Sequence, residues 1–243
     1  PGIRCVGGFV GEHDRVTNIP IPQHISAKPE DLDELLAAYL SAYEKMKGSG
    51  FHPVLAAAII AFSFVIIHPL EDGNGRIHRY LIHHVLAESG FTPKGVIFPI
   101  SAVILERIKD YKAVLEQFTQ PRLKYVEWHP TDDNNVHVTN DTADLYRYGD
   151  MTCQVEFLFE CVKDTVDTVL PEEVLYLERY DEIWNYVNNR FDMPQKSLSL
   201  LLNFLRQSNG QLSKRARTKE FSALTDVEVA EIESKYQEVF EID

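Results

Sequence analysis

The sequence has few cysteines and no long hydrophobic run. Its three cysteines, Cys5, Cys153 and Cys161, are an odd number and form no C-x-x-C pair. This argues against a disulfide framework or a cysteine zinc site and predicts a reducing, cytoplasmic compartment. The longest nearly apolar stretch, residues 54–67, is shorter than the roughly 18 residues that a membrane span requires. We therefore expect no membrane-spanning segment.

Positive charge is also scarce. The chain has 24 Lys and Arg against 37 Asp and Glu, a formal net charge of −13. Such a charge works against broad binding to nucleic acid or to anionic membranes. The basic run Lys214, Arg215, Arg217 and Lys219 lies in a segment that is itself net acidic. We therefore expect a solvated helix face or a protein contact there rather than DNA binding.

The hydrophobic pattern predicts an all-α protein with one small β element at its front. Residues 3–22 are typical of a β-hairpin whose second strand is an edge, because Pro20 and Pro22 cannot donate to a ladder. The stretch 54–67 is apolar on every face, which indicates a buried central helix. Further helices are expected at 29–47, 74–89, 101–119, 142–169, 172–190, 195–208 and 225–240.

Two positions are candidates for domain boundaries. The polar stretch HPTDDNNVHVTND, residues 129–141, is the stronger one, and Pro171 marks the other. We expect a core domain at 1–128, a helical continuation of that core at 129–170 and a C-terminal helical domain at 171–243. A winged-helix-like form of the C-terminal domain is the alternative.

The stretch HPLEDGNGR, residues 68–76, concentrates residue types that phosphate chemistry requires. Gly73 and Gly75 flank Asn74 directly before a predicted helix. Glycines at this place let backbone N–H groups converge on an anion, and the helix N-terminus adds partial positive charge. The spacing therefore predicts a site for a phosphate group.

Four side chains supply the other functions that such a site needs. Asp72 can hold a Mg²⁺ ion that also binds phosphate oxygens. His68 follows the apolar helix and is the general base of the group that titrates near neutrality. Arg76 and Arg79 are three residues apart, so they share a helix face and can reach the same phosphates. Neither a P-loop nor a Rossmann glycine pattern occurs, which excludes those two kinds of nucleotide site.

Each feature also has a simpler explanation. A Gly-Asn-Gly alone commonly marks a turn, and a histidine after an apolar helix commonly caps it or packs in the core. All of these explanations would have to hold in one short stretch, so we favour a phosphate cradle over a turn. The nearby histidines His78, His83 and His84 do not share one helix face, which argues against a metal site there.

The stretch His68–Arg79, HPLEDGNGRIHR, resembles the signature of the Fic family (Fic/Doc superfamily), H-P-F-x-[D/E]-G-N-G-R-x-x-R. Leu70 stands where phenylalanine is usual. The resemblance extends from the opening PGIR to about Leu123. The segments 146–152 and 209–233 are similar to the tail of one bacterial branch of the family. The resemblance implies a Fic-type helical core, a hairpin flap and a helical C-terminal extension.

The resemblance also implies an activity, the transfer of AMP from ATP to a Ser, Thr or Tyr hydroxyl of a target protein. His68 would deprotonate the hydroxyl, and Asp72 would ligate Mg²⁺ between the phosphates. The residues that would bind the ATP phosphates are Gly73, Asn74, Gly75, Arg76 and Arg79. A nucleotide-binding regulator, or transfer of another phosphate-containing group through the same motif, is the alternative.

The resemblance identifies the first hairpin as the flap, which docks the target segment as an added strand. The docking residues would be Gly8, Val10, Val16, Ile19 and Ile21. Fic enzymes are commonly restrained by a helix bearing [S/T]-x-x-x-E-[G/N], whose Glu pairs with the second motif arginine, here Arg79. No Glu of this chain is followed by Gly or Asn. We therefore expect the inhibitory helix upstream of Pro1 or on a partner chain. A homo-oligomer is a separate expectation.

Overall fold

A computed structural model describes residues 2–92 and 98–242 of the chain, which are mostly helical. The α-helices are α1 Leu32–Met46, α2 Pro53–Ile67, α3 Asn74–Glu88, α4 Ile100–Glu106, α5 Ile108–Leu123, α6 Asp144–Arg147, α7 Thr152–Asp164, α8 Leu170–Arg190, α9 Gln195–Gln207, α10 Lys214–Thr218 and α11 Asp226–Phe240. The strands are β1 Phe9–His13, β2 Pro20–Ile25, β3 Trp128–Pro130 and β4 Val136–Val138. The predicted fold class, helical with a small N-terminal hairpin, is confirmed.

The helix α2 lies at the centre of the first of two compact units, Pro1–Thr168. Most of its residues are buried, and it packs against α1, α3 and α7. Pro53 begins the helix, where its missing N–H costs nothing. The apolar run therefore forms a rigid central rod, and His68 lies directly at its C-terminal end. No helix in the described ranges is both long and apolar enough to cross a membrane.

The N-terminal hairpin pairs β1 and β2 antiparallel, with Phe9 opposite Ile25 and His13 opposite Pro20. The register shifts between Val10 and Gly11, which bends the strand. The strand β2 lies against α5. The hairpin is thereby attached to the helical body beside the C-terminal end of α2.

The second unit, Val169–Asp243, has its own hydrophobic core. Leucines of α9 pack there against Ile183 of α8 and Ile232 of α11. No strand occurs among residues 169–242, and a winged helix requires one, so the unit has the helical form of the two that were expected. In the basic run, Arg217 forms an ion pair of 2.8 Å with Glu233.

Three parts of the first unit differ from the sequence prediction. The helix predicted at 101–119 is interrupted at Arg107, whose backbone (φ −92°, ψ 32°) leaves the helical region, and it continues to Leu123. The helix predicted at 142–169 is broken at 148–151. Gly149 lies there so close to the Phe118 ring that a Cβ atom would collide with it.

The segment 129–170 does not begin as the predicted helical continuation. It begins within a second antiparallel hairpin, β3–β4, with Trp128 opposite Val138 and Pro130 opposite Val136. The polar stretch that we interpreted as a domain boundary is therefore the tip of a hairpin in the first unit. Short strands with a polar tip carry little hydrophobic periodicity, which is why the pattern missed them.

Candidate active site

His68 marks the point where α2 ends. Its backbone adopts the left-handed conformation (φ 55°, ψ 56°), and its N–H still donates to the carbonyl of Phe64 at 2.9 Å. The chain then leaves the helix axis through Pro69–Asp72 and enters α3 after Gly73, whose φ is 93°. Two left-handed residues thus define a short loop between the central helix and the next one.

Asn74 holds this loop closed. Its side chain is 3% exposed; Oδ1 accepts from the Leu70 N–H at 3.0 Å and Nδ2 donates to the Leu70 carbonyl at 2.8 Å. The amide therefore pairs with both backbone groups of one residue, as a neighbouring strand would. The sequence placed Asn74 among the phosphate-binding residues, but its side chain is occupied inside the loop and leaves its backbone N–H for an anion.

Backbone N–H groups are available at the start of α3. The N–H groups of Arg76 and Ile77 donate to the Gly73 carbonyl at 3.0 and 2.9 Å. Among the described residues, those of Asn74 and Gly75 have no carbonyl partner. Free N–H groups at a helix N-terminus attract an anion. These groups form a candidate cradle of the kind that the glycine spacing predicts, and phosphate binding there stays a prediction.

The imidazole of His68 is oriented by its surroundings. Nδ1 lies 3.2 Å from the carbonyl oxygen of Val65. Because a carbonyl only accepts, Nδ1 carries the proton and Nε2 keeps its lone pair in the neutral ring. Burial lowers the pKa of His68, the hydrogen bond to Val65 opposes this, and the charge of Arg4 lowers the pKa further. His68 is thus a neutral base at physiological pH.

Arg4 is a site residue that sequence reasoning did not identify. It is 6% exposed and donates from Nε to the His68 carbonyl at 2.7 Å, from Nη1 to Val6 at 2.7 Å and from Nη2 to Ala27 at 2.6 Å. Its own N–H donates to Pro69 at 2.9 Å. The N-terminal segment is therefore bonded to the end of α2 and to the start of the loop. The only sequence feature that could have identified Arg4 was its position in the opening segment PGIR. Hydrophobic periodicity does not single out a residue there.

His24 is the second residue that the sequence analysis missed. Its Nε2 donates to the carbonyl of Ile66 at 2.8 Å, and its ring centroid lies 6.3 Å from that of His68. Burial lowers its pKa to about 3, so it is neutral. It supports the last turn of α2 from the side of β2.

Three charged residues of the motif, Glu71, Asp72 and Arg76, are exposed. Arg76 Nη2 and Asp72 Oδ2 form an ion pair of 2.9 Å. Arg79 is half-buried and has no carboxylate within 4.0 Å among the described residues. No cluster of three metal-ligating side chains occurs in the described ranges. A single carboxylate nevertheless suits Mg²⁺, which is usually held by one or two carboxylates together with substrate phosphates and water.

Two grooves meet at His68. One, of about 520 Å³, is lined by Gly8, Phe9, Glu71 and Asp133 among others. The other, of about 460 Å³, is lined by Val10, Gly75, Lys112 and Glu116 among others. His68 is the residue common to the two linings, and the cradle at Gly75 opens into the second groove. The base can therefore be reached from two directions.

The flap residues lie at the surface as a docking strand requires. Val16 is 92% exposed, Ile21 53%, and Val10 and Ile19 each 44%. Gly8 precedes β1 and accepts the Ser26 N–H at 2.8 Å. The structure brings Gly8 and Val10 into the two grooves beside His68. Docking of a target segment by these residues stays a prediction.

Comparison with known proteins finds a family model that matches part of the chain. Residues 4–86 match the model of the Fic/DOC family. Over 162 residues the chain is 24% identical to a protein adenylyltransferase Fic of Nematostella vectensis, covering 67% of this chain and 30% of that protein. Over 160 residues it is 28% identical to the protein of the same name from Aedes aegypti, covering 66% and 25%. The chain thus spans a third or less of these curated relatives.

A solved structure is similar along the whole chain. It is that of a Fic family protein from Desulfovibrio desulfuricans G20, with 18% identity and a TM-score of 0.47, covering 100% of this chain and 51% of that one.

Proposed function

We propose that this chain, whose residues 4–86 match the model of the Fic/DOC family, belongs to that family and transfers AMP from ATP to a Ser, Thr or Tyr hydroxyl of a target protein. One observation carries the proposal: a neutral imidazole, fixed through Nδ1, lies next to a backbone anion cradle. The name of the curated relatives, protein adenylyltransferase Fic, supports the same reaction.

In the proposed reaction His68 acts as the general base. The acceptor hydroxyl donates its proton to Nε2 while its oxygen attacks the α-phosphorus of ATP. A bond from that oxygen to phosphorus forms, the bond to the β-phosphate oxygen breaks, and pyrophosphate leaves. The Nδ1–H bond to the Val65 carbonyl holds the ring in place and stabilises the imidazolium that results.

The phosphates of ATP would bind at the start of α3. The N–H groups of Asn74 and Gly75 would donate to phosphate oxygens, Arg76 would stabilise charge at the α-phosphate, and Arg79 would hold the γ-phosphate. Arg76 must first leave Asp72, which costs little because that ion pair is exposed and worth about 1 kcal/mol or less. Asp72 would then hold Mg²⁺, which neutralises phosphate charge when bound.

The two grooves provide separate approaches for the two substrates. ATP would occupy the groove that contains Gly75 and Lys112. The target protein would approach from the groove that contains Gly8 and Glu71, with its backbone along the flap. His68, at the meeting point, would contact the acceptor oxygen.

Labelled ATP tests the proposal. Incubation of lysate protein with the enzyme, Mg²⁺ and α-labelled ATP should label a protein band, while γ-labelled ATP should not. His68→Ala should lower the labelling rate by roughly 10²–10⁴-fold. His84→Ala, a histidine of α3 that lines neither groove, is the matched control and should label like wild type.

Other outcomes would contradict the proposal in defined ways. Label from the γ-position would mean phosphate transfer through the same motif. ATP binding without any transfer, unchanged in His68→Ala, would mean a nucleotide-binding regulator. Equal α-labelling by wild type and His68→Ala would exclude His68 as the base.

We also propose a reducing, cytoplasmic environment and an external regulator. The three cysteines are free, and Cys5 and Cys153 are exposed. Arg79, with no carboxylate partner among the described residues, would be paired by a glutamate from an inhibitory helix upstream of Pro1 or on a partner chain. Such a helix added in trans should lower ATP turnover. A homo-oligomer is a separate proposal. A bacterial source stays a prediction, since the curated relatives compared are animal proteins.

A further inference from the structure

The second hairpin is fixed to the flap by hydrogen bonds from side chains to backbone carbonyls. Asn135 Nδ2 donates to the Gly7 carbonyl at 2.9 Å, and His13 Nε2 donates to the Asn134 carbonyl at 2.8 Å. A Cβ atom on Gly7 would collide with the carbonyl oxygen of Val136. The glycine therefore permits a close approach of the two backbones. The tip of β3–β4 is thereby held beside the start of β1.

A small apolar cluster also fixes the second hairpin to the flap. Val136 is 1% exposed and clusters with Ile25 of the flap and with Val126, and Phe9 and Trp128 pack against them. Buried apolar contacts of this kind hold one arrangement of the two hairpins. The hairpin β3–β4 therefore forms a fixed wall of the groove that is lined by Glu71 and Asp133.

The groove between hairpin and loop carries two carboxylates that form no ion pair among the described residues, against the single buried charge of Arg4. It is lined by the exposed carboxylates of Glu71 and Asp133, and neither has a Lys or Arg partner within 4.0 Å among the described residues. Glu71 accepts a hydrogen bond of 3.4 Å from the Gly2 N–H, and Asp133 accepts from the Thr131 hydroxyl. Arg4 also lines the groove, but its three donor positions are directed at backbone carbonyls.

A buried polar group in this lining also lacks a partner. Ser26 is 2% exposed, and its Oγ has no hydrogen-bond partner in the part of the chain that the structure describes. Unpaired buried hydroxyls are uncommon in folded proteins, because an unmet hydrogen bond costs free energy. The wall of the groove therefore contains an unpaired polar group directly behind its surface.

We propose that this groove binds a basic segment of the target protein beside the acceptor hydroxyl, with the hairpin Trp128–Val138 as the outer wall that selects it. The inference rests on the proposed function, since it names the class of target for the same site. Lys or Arg side chains near the hydroxyl would pair with Asp133 and Glu71. The overall charge of −13 would increase the encounter rate with such a partner.

Three synthetic peptides test the inference. They share one central Thr and differ in the flanking residues, which are Lys, Ala or Glu. The wild-type protein should bind the Lys peptide most tightly by fluorescence anisotropy and modify it with the highest kcat/KM. Asp133→Lys should lower the kcat/KM ratio of Lys to Ala peptide by about fivefold, because an attractive exposed pair becomes a repulsive one.

Matched variants separate a local effect from net charge. Glu71→Gln should reduce the Lys preference without reversing it. Glu220→Lys makes the same charge change as Asp133→Lys at an exposed position of the second unit and should keep the wild-type preference. An equal fall with Glu220→Lys would show that the preference arises from net charge and would overturn the inference.

The inference and the proposed function fail in different ways. Transfer to all three peptides at equal kcat/KM, or preference for the Glu peptide, would overturn the inference and leave the activity standing. Absence of transfer to every peptide would count against the activity. In that case the anisotropy measurement decides: selective Lys-peptide binding lost in Asp133→Lys supports the groove, and equal binding of the three peptides overturns it.

Discussion

Arg4 and His68 are joined by a hydrogen bond of 2.7 Å from the guanidinium Nε to the histidine carbonyl, across 64 residues of sequence. The bond holds the backbone of the proposed base where α2 ends. It also places a positive charge near the imidazole, which helps to lower the pKa of His68. One buried side chain thus holds the backbone of the base and adds to the effect of burial, which is the main cause of the lowered pKa of His68.

We expect Arg4→Lys and Arg4→Gln to differ in pH dependence. The neutral form of His68 is required, so the transfer rate falls at acid pH as the ring is protonated. Gln removes the positive charge, which raises the pKa of His68 and moves the acid limb of kcat/KM to higher pH than in wild type. Lys keeps the positive charge, so the acid limb of kcat/KM should stay at the wild-type pH.

The measurement is kcat/KM against pH for the three proteins at saturating Mg²⁺. Both variants lose hydrogen bonds to buried carbonyls, so a loss of about 2–4 kcal/mol in the free energy of unfolding is expected for each. A limb that shifts equally in both variants would show that backbone displacement, and not charge, controls the base.

Asp72→Asn should change the metal requirement and leave stability unchanged. The ion pair with Arg76 is exposed, so its loss should change the free energy of unfolding by about 0.5 kcal/mol or less. The Mg²⁺ concentration for half-maximal transfer should rise. Glu30→Gln, an exposed acid outside both grooves, is the control. An unchanged Mg²⁺ titration would exclude Asp72 as a metal ligand.

Asn74→Ala should open the loop between α2 and α3. The substitution leaves the N–H and carbonyl of Leu70 without partners and should lower the free energy of unfolding by about 2 kcal/mol. ATP affinity should also fall, because the cradle loses its fixed shape. Asn188→Ala, at an exposed position of α8, should be close to wild type in both measurements. If Asn74→Ala lowered the stability but left the ATP affinity unchanged, the closed shape of the loop would not be required for ATP binding.

Acid should destabilise the first unit through its buried histidines. Burial lowers the pKa of His24 to about 3 and that of His78 to about 4, below the value of about 6.5 in an unfolded chain. Between about pH 6.5 and pH 4 the unfolded state thus binds protons that the folded state does not, and stability falls as pH falls. Each histidine contributes up to about 1.4 kcal/mol per pH unit in that window.

Fluorescence of Trp128 in a Trp184→Phe background reports on the first unit, because the two tryptophans lie in different units. His78→Gln should flatten the fall in unfolding free energy between about pH 6.5 and pH 4. His137→Gln, exposed on β4, should not. The same slope in His78→Gln and wild type would contradict this account.

The parts of the site that could be predicted are those with a strong local pattern. An apolar run without a polar face can only be buried, which located α2 and placed His68 at its end. The glycine spacing before α3 predicted the cradle. These features depend on short segments whose geometry is set by neighbours in sequence.

The parts that were missed depend on long-range contacts. The role of Arg4 requires three carbonyls from separate segments, and that of Asn74 requires knowing that its amide turns inward to Leu70. The strands β3 and β4 are three residues long each, and they are held by the apolar cluster that Val136 forms with Ile25 and Val126 rather than by their own pattern. None of these long-range contacts produces a hydrophobic periodicity that could be recognised in the sequence.

The left-handed backbone conformation of His68 determines which substitution should give an inactive protein that keeps its fold. A residue with a Cβ atom pays a conformational penalty at φ 55°, and alanine would keep that penalty while losing the contacts of the ring. Glycine or asparagine adopts this conformation more readily. A His68→Gly or His68→Asn protein should therefore retain the turn and its bond to Arg4 while losing the imidazole base, which makes it the better trap for a captured substrate.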